Sequence, residues 1–152
     1  MRLLPALVAL LLAACGATTG DLVCSDQLPA DRVGATSGCL GYRILPDAQT
    51  YPQGVGAITF KVTATNVSTQ PCGGPSNLSC GGPSLSVSTA NGRQVWARTP
   101  PIVACPMLIR LLQPGESMST QVIWKSPNLA LGVYWVEATA GPDLGRSYFL
   151  VC

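Results

Sequence analysis

Residues 111–140, LLQPGESMSTQVIWKSPNLALGVYWVEATA, decide the fold class. After the turn residues Gln113-Pro114-Gly115-Glu116, Met118, Thr120, Val122 and Trp124 fall on one face. Ser117, Ser119 and Gln121 fall on the other, with Ile123 an exception. After Asn128 to Leu131 the alternation resumes. Tyr134, Val136, Ala138 and Ala140 share one face, and Val133, Trp135, Glu137 and Thr139 the other. Successive side chains of a strand point to opposite faces, so this period of two predicts two half-buried antiparallel strands.

The same pattern extends outward in both directions. Ala57 to Asn66 sets Ile58, Phe60, Val62 and Ala64 against Thr59, Lys61, Thr63 and Thr65. Cys39 to Leu45 reads as a first strand stopped by Pro46-Asp47. Leu85 to Thr89 reads as a strand turned by Asn91-Gly92 into Gln94 to Ala97. Pro106 to Leu112 is a short apolar strand, and Arg146 to Cys152 a final one after the turn Gly141-Pro142-Asp143. Turns every ~8–12 residues fit an all-β, immunoglobulin-like antiparallel β-sandwich of about seven or eight strands. Pro71 to Pro83, PCGGPSNLSCGGP, repeats a Cys-Gly-Gly-Pro unit; its glycines and prolines predict a loop or an irregular edge. Thr99 to Pro106, TPPIVACP, is a second proline-stiffened connection.

The amino end is different in kind. Met1-Arg2 precedes the apolar run Leu3 to Ala14, too short to span a bilayer, which takes about 20 apolar residues. A positive start, an apolar core and small residues at its end describe a secretory signal peptide. The run closes on Leu12-Ala13-Ala14-Cys15-Gly16, which resembles the bacterial lipobox. That resemblance implies cleavage before Cys15, a diacylglyceryl thioether on its sulfur, and anchoring to the membrane by the acyl chains. Residues 1–14 are thus expected to be a lipoprotein signal peptide, 15–38 a tether and N-terminal segment, and 39–152 the sandwich. The chain is expected in the bacterial cell envelope, facing the periplasm or the exterior.

With Cys15 lipidated, Cys24, Cys39, Cys72, Cys80, Cys105 and Cys152 remain, an even set in an exported chain. Three disulfides are expected, with connectivity left open. Pairing of neighbours would join Cys24 to Cys39, Cys72 to Cys80 and Cys105 to Cys152; an alternative joins Cys80 or Cys72 to Cys105. The absence of a CxxC pair removes the close ligand spacing of a zinc ribbon and the thioredoxin motif. No metal or other cofactor is expected.

Composition removes further classes. Histidine is absent, which rules out Ser-His-Asp and Cys-His catalysis. The acids Asp21, Asp26, Asp31, Asp47, Glu116, Glu137 and Asp143 are scattered, with no nucleophile beside a base, so a non-enzyme is expected. Only 11% of residues are charged, the net charge is +2 and no basic run occurs, so no nucleic-acid partner is expected. Trp96, Trp124 and Trp135 flank or end strands, where packing into a core is favoured over a carbohydrate-binding face.

The order of several elements resembles the BsuPI domain, named for an intracellular proteinase inhibitor of bacilli. They are Thr65-Asn66-Val67-Ser68 ending a strand, Gly92-Arg93-Gln94-Val95-Trp96, Leu112 to Ser117 with Trp124 ending the next strand, and Gly132, Tyr134 and Val136. The resemblance covers about residues 42–151 and implies an immunoglobulin-like sandwich. The six exported cysteines and the Cys-Gly-Gly-Pro segment depart from that family. The expected partners are the membrane, through the lipid on Cys15, and an envelope protein bound or braced by the domain. The alternative is a protease, inhibited through a rigid exposed loop. Cys72–Cys80 would serve, with Leu78 and Ser79 as the recognition pair, or Thr99–Pro106.

Overall fold

Ile58, Phe60, Val62 and Ala64 are all fully shielded from solvent, so the strand Ala57–Asn66 turns its alternating apolar side into the centre of the molecule. The computed structural model describes residues 34–101, 110–139 and 143–152. These form an all-β sandwich with the strands β1 (Ala35–Ser37), β2 (Leu40–Pro46), β3 (Thr50–Tyr51), β4 (Ala57–Asn66), β5 (Cys72–Gly73), β6 (Ser84–Thr89), β7 (Gln94–Arg98), β8 (Leu111–Leu112), β9 (Ser117–Lys125), β10 (Gly132–Thr139) and β11 (Asp143–Val151). A single helical turn, α1 (Ser76–Ser79), lies between β5 and β6. Seven strands have five or more residues, in line with the expected number; the others have two or three.

One sheet has the order β1-β2-β4-β9 and is antiparallel throughout. The other has the order β3-β11-β10-β6-β7, and β5 pairs with β8 apart from both. The sandwich is antiparallel as expected except at one edge, where the two-residue β3 runs parallel to β11. There the chain leaves β2 at Asp47 and crosses to the opposite sheet, so it meets β11 in the same direction. Leu150 and Cys152 donate from their N–H groups to the carbonyls of Gln49 and Tyr51.

The core is what period two predicts. Tyr42, Ile44, Phe60, Val62, Val122 and Trp124 enter from one sheet, and Val87, Tyr134, Val136, Ala138, Phe149 and Val151 from the other. Burying a Phe, Val or Ile side chain contributes about 1.5–3 kcal/mol, so this layer dominates stability. Phe149 stacks on Tyr134 at 5.4 Å and meets the edge of Tyr51 at 5.5 Å. In the described residues Ser147 carries the one buried side-chain oxygen without a hydrogen-bond partner.

Several boundaries differ from the sequence reading. The first strand continues through Pro46, the last begins at Asp143, and β1 was not anticipated; three residues are too few to show a period. The hairpin between β6 and β7 has a three-residue loop, Ala90 to Gly92, closed by bonds between Thr89 and Arg93. Gly92 alone takes a positive φ there, 84°, where the two-residue turn expected at Asn91-Gly92 needs two such residues. A bulge follows: Ser88 faces Gln94 while Val87 faces Trp96, leaving Val95 as the extra residue. It lets Trp96 turn inward although Gln94, two residues before, turns outward. Of the apolar strand expected over Pro106 to Leu112, Leu111–Leu112 is observed as β8 and residues 106–109 lie outside the described residues.

Candidate functional site

The cysteine-bounded segment was the place sequence reasoning assigned to function, and its chemistry is that of a staple. Cys72 is bonded to Cys39, not to Cys80, and Cys39 is therefore not bonded to Cys24. The pairing of neighbours fails because β5 ends up beside the start of β2, through β4, rather than folding back on itself. Cys80 and Cys152 are disulfide-bonded as well. Cys15, Cys24 and Cys105 lie outside the described residues. Cys72 is buried, and its strand holds the end of the sandwich shut by pairing with Leu112.

Leu78 does not face solvent. It is only 4% exposed and belongs to the core, which removes it as a side chain offered to a protease. The turn α1 that carries it brings Leu78 down onto the sheet end, and the Leu78 N–H donates to the carbonyl of Pro75. Ser79 closes the same turn. The later part of the segment is held by Arg98, whose guanidinium donates to the carbonyls of Pro83 at 2.9 Å and Gly81 at 2.6 Å. Gly81 and Gly82 both have positive φ, 76° and 77°, so the carbonyls turn toward that cation.

Asn66 is the polar hub beside this staple. It is 1% exposed yet fully bonded: its Nδ2 donates to Gln70 and Leu112 carbonyls, and its Oδ1 accepts from the N–H and hydroxyl of Ser68. Its backbone joins the turn at Gly115 and Glu116. The Thr-Asn-x-Ser element is therefore an Asx turn that locks two loops together. Its signal was in the sequence, but the Leu112 and Glu116 partners were not.

Titratable groups offer no catalytic constellation among the described residues. Tyr51 donates to the carboxylate of Asp47 and accepts from the Ala48 N–H; burial, then the bond to Asp47, raise its pKa far above the ordinary phenol value. Burial also raises the pKa of Tyr42. Glu116 accepts from the N–H of Gln113 and from Arg110, and these hold its carboxyl below the usual range. No group of three metal-ligating side chains occurs among the described residues. A shallow cleft of about 320 Å³ opens at the β6–β7 turn, lined by Arg93, Leu131 and Val133 among others.

The three tryptophans do not make one aromatic face. Trp96 and Trp124 stack on each other across the interior at 5.0 Å. Trp135 lies on the outside of the five-stranded sheet, with Tyr148 at its edge and Arg146 over its ring at 5.1 Å. That outer side is partly closed, since Tyr148 and Leu150 are buried although they alternate with the core residues Phe149 and Val151. The outside of the four-stranded sheet is open: every outward residue of β9 from Ser117 to Lys125 is exposed. Arg43, Lys61 and Lys125 stand on it, among Thr63, Ser119 and Gln121. Among the described residues no outward position of this sheet carries an acid.

No protein-family model matches the chain, and no curated protein does. Solved structures with partial likeness include an alkylpurine DNA glycosylase of Pseudomonas fluorescens (12% identity, TM-score 0.42, 73% of this chain and 30% of that one). Others are a β-glucosidase of Erythrobacter marinus (15%, 0.40, 74% and 15%) and one of Listeria innocua (14%, 0.37, 73% and 16%). This chain spans less than a third of the length of each.

Proposed function

We propose that this chain is a membrane-anchored envelope lipoprotein whose sandwich domain binds or braces another envelope component without catalysis. The observation that carries the reading is the agreement of two features. The leader ends in Leu12-Ala13-Ala14-Cys15, and the domain behind it has Cys39, Cys72, Cys80 and Cys152 all oxidised. Disulfides in a mesophilic chain belong to an oxidising compartment outside the cytosol, as a lipobox requires. The absence of histidine and the separation of the described acids support a non-enzymatic role.

The resemblance to the BsuPI domain keeps an inhibitor as the second reading, with its loop confined to Thr99–Pro106, of which residues 102–106 lie outside the described residues. Thr99 and Pro101 are exposed there, whereas the segment Cys72–Cys80 has lost its recognition residue to the core. Intact-mass measurement of the mature protein tests the first reading. Acyl chains on a chain beginning at Cys15 are expected, with the hydrogens of three disulfides missing; an unmodified Cys15 would refute the anchor. A panel of proteases assayed with the purified protein separates the two readings.

A further inference from the structure

We propose that the outer face of the four-stranded sheet docks on an anionic phospholipid bilayer, laying the domain flat on the membrane that the Cys15 anchor would hold. The inference deepens the lipoprotein reading and rests on it for the membrane's proximity. Lys61 and Lys125 are the only lysines in the whole sequence, and both stand on this face together with Arg43. None of the three has an ion pair among the described residues, where the one salt bridge joins Arg110 to Glu116. The described acids nearest the face are engaged at its corners: Asp47 accepts from the Tyr51 hydroxyl and the Thr59 N–H, and Glu116 from Arg110. The face therefore presents three cations, with the Asp47 carboxylate, bonded only to neutral donors, at one corner.

Its geometry suits a surface rather than a groove. Arg43 pairs with Thr63, two residues along β4 from Lys61, which makes the two cations diagonal neighbours. Lys125 pairs with Ala57, four residues from Lys61, or about 14 Å at the rise of a strand. Ile123 is 55% exposed on the edge strand between Lys125 and Gln121 and opposite Thr59, an apolar side chain with polar and cationic neighbours as at a bilayer interface. The chain from Cys15 enters the domain at β1, the edge strand of this same sheet. Those roughly 20 residues reach at most about 70 Å, so the anchor would let the face meet the membrane at a raised effective concentration, and weak attraction suffices. Each cation near an anionic leaflet strengthens binding about fivefold, so three cations offset by the Asp47 carboxylate give on the order of 25-fold.

The test uses the full mature lipoprotein reconstituted into vesicles, with acetylation of the two lysines read by mass spectrometry. In vesicles containing phosphatidylglycerol, Lys61 and Lys125 should react about tenfold more slowly than in phosphatidylcholine alone, with the difference removed by high salt. Arg43→Gln keeps both reporters and should weaken their protection by about fivefold. Equal reactivity in the two vesicle types overturns the proposal, as does equal protection in both. Protection by soluble polyphosphate to the same extent as by anionic vesicles also overturns it, in favour of a polyanion ligand. Retention on phosphatidylcholine vesicles reports the anchor separately: its loss would sink the lipid on Cys15 while the lysine protection in anionic vesicles still decides the face.

Discussion

The two Cys-Gly-Gly-Pro units, residues 72–75 and 80–83, are identical in sequence and both carry a bonded cysteine, but they use their glycines differently. In the first, Cys72 and Gly73 are extended as β5, Cys72 is bonded to Cys39, and the Gly74 N–H donates to the Arg110 carbonyl. A Cβ on Gly74 would stand 2.9 Å from the Met118 sulfur and 3.1 Å from that carbonyl, so this glycine permits close approach. In the second, Gly81 and Gly82 both adopt the left-handed conformation, and the unit wraps the guanidinium of Arg98. Glycine thus serves closeness in one copy and a positive φ in the other. The difference comes from neighbours: a paired strand edge at one site, a cation at the other.

Substitutions that separate the two units should rank accordingly. Replacing Cys39 and Cys72 together by alanine should lower stability by about 3–4 kcal/mol, the loop-closure value for a separation of 33 residues, seen as a fall in the urea midpoint. Leu78→Ala, between the units, should cost about 2–3 kcal/mol in the same assay, because its side chain is in the core. Unchanged stability would return Leu78 to the surface and to the inhibitor reading. Arg98→Gln removes the donors that hold Gly81 and Pro83 and should cost about 1–2 kcal/mol. Hydrogen exchange should show that loss as faster opening of the second unit, with β5 unchanged.

The smallest effect belongs to the exposed Arg110–Glu116 pair beside the first unit. The Gln113 N–H and Arg110 depress the Glu116 pKa below its ordinary 4.5, so their contribution is present above that pH and is lost as pH falls through the depressed value. Glu116→Gln should therefore flatten the acid limb of the stability profile slightly and leave neutral pH nearly untouched. A steeper acid limb would contradict the assignment.

Much of the sandwich was legible because burial imposes period two. The alternation gives β4, β9 and β10 the facing observed, and packing, the role expected of the tryptophans, holds for Trp96 and Trp124. Less of the candidate site was legible. Leu78 looked like an exposed loop residue because its neighbours are Ser, Asn, Cys and Gly, and local polarity says nothing about what the turn packs on. The cationic face is not visible in the sequence because Arg43, Lys61 and Lys125 are far apart in it, and only the β2-β4-β9 pairing gathers them.

By itself the sequence determined the fold class, the inward side of the long strands and the cysteine set, since these follow from alternation, turn residues and counting. Tertiary structure decided the Cys39–Cys72 partnership, the parallel β3–β11 edge and the gathering of three cations on one sheet. Each depends on which distant strands lie side by side. That is set by closing the whole core, and no local window of residues contains it.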